Sequence, residues 1–188
     1  FMTQTIQLSG KNFGLIEWKT SGGLYDWNNI PDKVVSDSRR IGNVGVGENV
    51  AGSKFLYDHQ GWYFASELCV CTASGLSGVI EFERVHNLKA PGDSADAQLI
   101  GLGPKIEMGN VEVDLRYRPY FIESDATVAA YNKSKFGNTN RNGYNIEANV
   151  TFKKEGFTIF AENFNAEPIN RDPNQRDLSI FYLGVETK

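Results

Sequence analysis

The stretch VEVDLRYRPYF, residues 111 to 121, decides how this sequence is interpreted. Its odd positions are mostly apolar: Val111, Val113, Leu115, Tyr117, Pro119 and Phe121. Four of the even positions between them are charged: Glu112, Asp114, Arg116 and Arg118. Because successive side chains of a strand point to opposite faces, this alternation predicts a strand with one apolar face and one face that carries both signs of charge.

Other segments repeat the same two-residue period. The segment GYNIEANVTF (143–152) places Tyr144, Ile146 and Val150 on one face and Glu147 and Asn149 on the other. Counting such segments predicts eight strands, near residues 4–18, 55–71, 79–86, 97–107, 111–121, 144–153, 157–165 and 178–186. Hairpin turns at 9–12 and 58–61 would raise the number to ten, and the stretch VGVGENV (44–50) is a further candidate strand.

Short and long connections alternate along the chain. The short links at 72–78, 108–110 and 153–156 each contain a glycine, which tight turns use to reach positive φ, whereas the links between them are long and polar. This order predicts a single domain, residues 1–188, that forms a closed up-and-down antiparallel β-barrel of about 8 to 10 strands. Long loops lie at one end of it, and short turns and both termini lie at the other.

The composition excludes two classes of partner or fold. The chain has 188 residues, 22% of them charged, and a net charge of −4, so no overall positive field attracts a nucleic-acid backbone. No apolar run approaches the roughly 20 residues that a membrane-spanning helix needs. We therefore expect no nucleic-acid partner and no helical membrane protein.

The alternation fits two environments. In a soluble barrel or sandwich the apolar face forms the core, whereas in a membrane barrel that face contacts lipid and the charged face lines a polar lumen. Strand length favours the membrane, since spanning takes about 9 to 11 residues, and so do the aromatic residues Tyr117, Tyr120 and Phe121 near one strand end. The alternative is a soluble exported β-barrel or β-sandwich, periplasmic or secreted, that binds a small apolar ligand.

The fragments GLGPKIEMGNVEVDLRYRPYF (101–121) and GYNIEANVTFKKEGFTIFAENF (143–164) resemble hairpins of Gram-negative outer-membrane β-barrels. They are similar to small substrate-type porins such as the oligogalacturonate-specific and nucleoside-specific channels, and the resemblance covers residues 60 to 188. It implies an outer-membrane protein that contacts membrane lipid and passes small polar solutes. Barrels of this kind usually finish with an aromatic residue, whereas this chain finishes LGVETK; we expect either further residues or a different family.

The candidate functional residues are the charged and amide side chains of the two best-patterned strands: Glu112, Asp114, Arg116, Arg118, Glu147 and Asn149. As lumen-lining residues they would add an electrostatic filter to a passage that otherwise selects by size. The alternative is a salt-bridged plug, because the interior of an eight-stranded barrel is just wide enough for side chains to fill it.

No catalytic or metal-binding residues are predicted. His59 and His86 are the only histidines, and neither occurs in a metal-binding spacing such as HExxH. Cys69 and Cys71 lie two residues apart in a predicted strand, where they project from one face without disulfide geometry, so we expect free thiols. The protein is therefore expected not to be an enzyme and to need no cofactor, and its oligomeric state stays open.

Overall fold

A computed structural model describes residues 2–12, 15–46, 52–72, 75–129, 138–171, 173 and 175–187. Its strands and helix, in chain order, are β1 (Met2–Asn12), β2 (Ile16–Trp27), α1 (Asp32–Arg40), β3 (Gly45–Val46), β4 (Lys54–Phe55), β5 (His59–Cys71), β6 (Leu76–Asn87), β7 (Asp96–Met108), β8 (Val111–Ile122), β9 (Arg141–Phe152), β10 (Phe157–Pro168) and β11 (Leu178–Thr187). The nine long strands form one sheet, and β3 pairs only with β4.

The large sheet is an antiparallel meander in the order β1-β2-β5-β6-β7-β8-β9-β10-β11. The predicted all-β antiparallel architecture is confirmed, but the predicted closure is wrong, because within the described residues no pairing joins β1 to β11. The physical reason is the odd number of strands in the sheet. Nine successive antiparallel strands leave the two edge strands running in the same direction, so they cannot pair with each other in the pattern of the rest of the sheet.

The first predicted strand, 4–18, is in fact two strands, β1 and β2, which pair over their whole length. Residue 2 consequently lies at the long-loop end, opposite Asp26, and the prediction that both termini lie at the short-turn end is wrong. The segment 55–71 begins with the end of β4 and continues as β5 without a hairpin at 58–61. The candidate strand at 44–50 contains β3, and its residues 47–50 lie outside the described part of the chain.

The short turns behave as their glycines predict. Gly109 (φ 59°) connects β7 to β8, and Gly156 (φ 70°) connects β9 to β10. A side chain at either position would require a backbone conformation that L-residues rarely adopt. These turns set the register of the two hairpins and therefore the face on which each strand residue lies.

The register gives the sheet two distinct faces. Leu115 lies opposite Ala148, and the next residue, Arg116, lies opposite Glu147 on the other side of the sheet. The side that carries Leu115 is called the apolar face below, and the side that carries Arg116 is called the polar face. Because cross-strand partners point to the same side, this assignment extends through the register to all nine strands.

The long connections lie together at one end of the sheet and form what we call the loop cap: the described parts of residues 28–58, 88–95, 123–140 and 169–177. The cap contains helix α1, which follows Pro31 and has Asp32 in its first turn and two arginines in its last turn. Those positions suit the helix dipole, but only nine residues are helical. This helix was not predicted from the sequence.

Candidate functional site

Arg118 is the centre of an ion-paired cluster on the polar face. Its Nε and Nη2 donate to the two carboxylate oxygens of Glu81 at 2.6 and 3.2 Å. Its Nη1 forms an ion pair with Glu147 and also donates to Oδ1 of Asn145 at 3.2 Å. The guanidinium thus joins β6, β8 and β9, and it is held by a carboxylate on each side.

Arg116 adds a second guanidinium one pleat further along β8. Its Nη2 donates to Oδ2 of Asp114 at 2.8 Å, and its Nε lies 3.5 Å from Oε1 of Glu81. Only 8% of Arg116 is exposed, whereas its apolar-face neighbour Leu115 is 44% exposed. A charge this buried needs its partners, because removing one of them leaves an uncompensated ion in a poorly solvated site.

The remaining sequence-predicted residues lie on the same face. Glu112 contacts Lys105 at 2.9 Å and Lys153 at 3.2 Å. Asn149 donates to Oε1 of Glu147 at 2.5 Å. The structure therefore brings all six predicted residues onto one face of β8 and β9, within a network that also contains residues the prediction did not include.

Glu81 is the main candidate functional residue that was not predicted from the sequence. It reaches both arginines across β7 because Gly101 lies directly opposite it and carries no side chain. A Cβ at Gly101 would lie 2.1 Å from Oε2 of Glu81. The alternate glycines Gly101 and Gly103, inside an otherwise regular strand, are the sequence signal of this opening, since glycine within a strand often marks a close approach.

Carboxylates outnumber cationic side chains on the polar face of the described strands. The acidic residues assigned to it by register are Glu17, Glu67, Glu81, Glu83, Glu107, Glu112, Asp114, Glu147, Glu162 and Glu186. The basic ones are Lys11, Lys19, Lys105, Arg116, Arg118 and Arg141. The face as a whole is therefore negative.

Several carboxylates lie directly opposite one another in neighbouring strands. Glu67 is paired with Glu81 across β5 and β6, and Glu147 is paired with Glu162 across β9 and β10. Like charges in such positions destabilise a sheet unless a cation separates them. Arg118 supplies that cation for Glu81 and for Glu147.

The loop cap is held by buried amide hydrogen bonds centred on Asn43. Its Nδ2 donates to the carbonyl oxygens of Ser124 (2.6 Å) and Thr127 (2.8 Å), and its Oδ1 accepts from the backbone N–H of Ala129 at 2.7 Å. Asp125 accepts from the backbone N–H of Val44 at 3.1 Å. Burial raises the pKa of Asp125 above its ordinary value, against the opposing effect of these hydrogen bonds.

The histidines and cysteines have structural surroundings. His59, the first residue of β5, is buried with its ring 4.6 Å from that of Phe55, and Nδ1 of His86 lies 3.1 Å from Oδ1 of Asp96. Cys69 and Cys71 are free thiols on the polar face with their sulfurs 3.4 Å apart, which confirms the prediction of free thiols.

Comparison with protein families, with curated proteins and with solved structures finds no match for this chain. In the ranges that the structure describes, no helix has the length and apolar character to cross a membrane. The functional interpretation therefore depends on the geometry of the two faces and on the loop cap.

Proposed function

We propose that this chain forms the wall of a β-barrel in the outer membrane of a Gram-negative bacterium and that its polar face lines a passage for small polar solutes. The observation that carries the proposal is the exposure of alternate residues along β8. Leu115 and Tyr117 are 44% and 46% exposed, whereas Arg116 between them is 8% exposed. Hydrocarbon is the solvent that suits the exposed side chains, and a polar interior suits the buried charges.

Every strand of the large sheet contributes to the exposed apolar face. Its large exposed side chains include Ile6, Leu8, Leu24, Phe64, Ile80, Leu102, Leu115, Ile146, Ile159, Phe181 and Leu183. Soluble monomers rarely expose a continuous apolar surface that extends across a whole sheet. The strands are 10 to 13 residues long, which meets the length that a tilted transmembrane strand requires.

A closed barrel belongs to this proposal and sets a condition on it. Because β1 and β11 run in the same direction, antiparallel closure requires an odd number of additional strands between them. We propose that polypeptide outside residues 1–188 supplies them. Each added strand would need the same alternation, apolar outward and polar inward, over about ten residues.

The second candidate function is a soluble exported β-fold that binds an apolar ligand. A groove of about 670 Å³ on the apolar face favours it; the groove is bordered by Ile6, Leu8, Leu24 and Phe64. Such a protein has to cover the rest of this face, because otherwise the exposed side chains of all nine strands would meet water. The membrane proposal accounts for the groove and for the whole face together.

The two candidates are separated by producing the protein in a Gram-negative host, together with the polypeptide that supplies the additional strands, and fractionating the envelope. The membrane proposal expects outer-membrane recovery, a requirement for detergent, heat-modifiable migration on a gel and stepwise conductance in planar bilayers. A protein that stays monodisperse in buffer without detergent would overturn it. Detergent-dependent behaviour without conductance would retain the barrel and reject the passage.

A further inference from the structure

The polar face contains a recess of about 390 Å³ beside the cluster of Arg118. Glu81, Glu83, Tyr120, Asn145 and Glu147 line it together with Arg118, and Thr127 of the loop cap reaches its edge. A volume of this order suits a small organic molecule. The recess thus joins the ion-paired strands to the underside of the cap.

Asn145 presents an unused hydrogen-bond donor at this recess. Its side chain is 1% exposed, and its Oδ1 accepts from Nη1 of Arg118, which fixes the orientation of the amide. Its Nδ2 has no hydrogen-bond partner among the residues that the structure describes. A buried donor without an acceptor is unfavourable, so a ligand oxygen that accepts from Nδ2 would be favoured there.

The recess also has an unused negative charge. Arg118 is occupied by Glu81 on one side and by Glu147 on the other. Glu83 is exposed and forms no ion pair with any described residue. A solute that enters therefore meets a free carboxylate and a free amide N–H. Both arginines of the lining are already paired, Arg118 as described above and Arg84 with Asp96.

We propose that the recess binds a small hydroxylated organic cation, whose protonated amine pairs with Glu83 and whose hydroxyl or ring oxygen accepts from Asn145. This inference rests on the proposed function, because the solute reaches the recess along the polar face of the barrel. It assigns a preference for amino sugars and similar solutes over neutral sugars, and for neutral sugars over sugar acids. The negative balance of the whole face acts in the same direction.

Equilibrium titration of the detergent-purified full chain with glucosamine, glucose and glucuronate tests this order. The three probes share one ring and differ in charge. We expect glucosamine to bind about tenfold more tightly than glucose, because its protonated amine forms a charged hydrogen bond with Glu83 where glucose offers only a neutral hydroxyl. We expect glucuronate, which carries a negative charge, to bind least. Glu83→Gln should remove the advantage of glucosamine and leave glucose unchanged.

The matched control is Glu17→Gln, which removes the same charge from the polar face at the short-turn end, where Glu17 pairs with Lys11. It should leave the affinity for each of the three sugars within about twofold of the value for the unmodified chain, since Glu17 lies far from the recess and its charge is screened by solvent. Equal binding of the three sugars, or an advantage of glucosamine that survives Glu83→Gln, would overturn the inference. The titration does not depend on conductance. A barrel that fails to conduct can therefore still bind glucosamine in the recess, and a conducting barrel can fail to bind it.

Discussion

The nine-stranded sheet, called the wall below, and the loop cap bury polar groups in different ways. In the wall, the buried groups are charged side chains that pair with one another across strands, as Arg118 does with Glu81 and Glu147. In the cap, they are neutral amides that bind backbone groups, as Asn43 does with residues 124 to 129. Ion pairs position neighbouring strands, whereas side-chain-to-backbone bonds stabilise loops that have no regular ladder of their own.

The largest expected effect comes from breaking the ion-paired cluster of the wall. Arg118→Met leaves Glu81 and Glu147 without their shared cation, so we expect a loss of about 3 to 5 kcal/mol in the free energy of unfolding, measured by urea titration in lipid vesicles. The control is Lys11→Met, which breaks the exposed pair with Glu17 and should leave the free energy of unfolding nearly unchanged, because solvent screens that pair. Equal losses for the two variants would mean that the cluster is solvated.

The next effect tests the other side of the same strand. Leu115→Arg places a charge on the apolar face near the middle of β8, and in a bilayer it should cost about 2 to 4 kcal/mol of folding free energy by the same titration. Leu88→Arg makes the same change in the loop cap, at an exposed position, and should be close to neutral. If both variants fold into vesicles with equal stability, Leu115 does not face lipid.

A smaller and local effect is expected in the cap. Asn43→Ala leaves the carbonyls of Ser124 and Thr127 without their donor, which should cost about 1 to 3 kcal/mol of local stability. Hydrogen exchange should show faster exchange in residues 123–129 and unchanged exchange in the central strands. Lys33→Ala, at an exposed position of α1, is the control and should change neither region.

The smallest expected effect is a pH dependence of the cap. Burial raises the pKa of Asp125 above 3.8, the ordinary value that this carboxyl group has in the unfolded chain. The folded cap therefore binds the carboxyl proton more tightly than the unfolded chain does. The resulting stabilisation is complete below that value and is lost as the pH rises through the folded pKa. Hydrogen exchange of residues 123–129 should therefore be better protected, after correction for intrinsic rates, on the acidic side of this window. Asp125→Asn should remove the dependence, and a dependence that persists would assign it to another group.

The wall could be predicted from the sequence far better than the cap, because its strands alternate apolar and polar residues with a two-residue period. The predicted strand 111–121 corresponds to Val111–Ile122, and 178–186 corresponds to Leu178–Thr187. The same alternation placed Arg116, Arg118 and Glu147 on one face. The hairpin between β1 and β2 was predicted only as the alternative with a turn at 9–12, and that turn was placed too early, because β1 continues to Asn12 and β2 begins at Ile16.

The rest of the site depended on tertiary register, which no local pattern carries. The contact of Glu81 with Arg118 depends on how β6, β7 and β8 align and on the space that Gly101 leaves. The cap was not predicted because hydrogen bonds from Asn43 and Asp125 to loop backbone follow no period. Helix α1 was missed for a related reason, since it is short and only Val35 and Ser38 are buried on it.

The central claim concerns which solvent each face of the wall meets, and spin-label accessibility at adjacent residues of β9 measures it most directly. Labels are introduced one at a time as Val150→Cys on the apolar face and Asn149→Cys on the polar face, in a background with Cys69→Ser and Cys71→Ser, after reconstitution into lipid bilayers. We expect the label at 150 to collide mainly with dissolved oxygen and the label at 149 mainly with a water-soluble nickel reagent. The opposite pattern, or equal access of the nickel reagent to both labels, would contradict it.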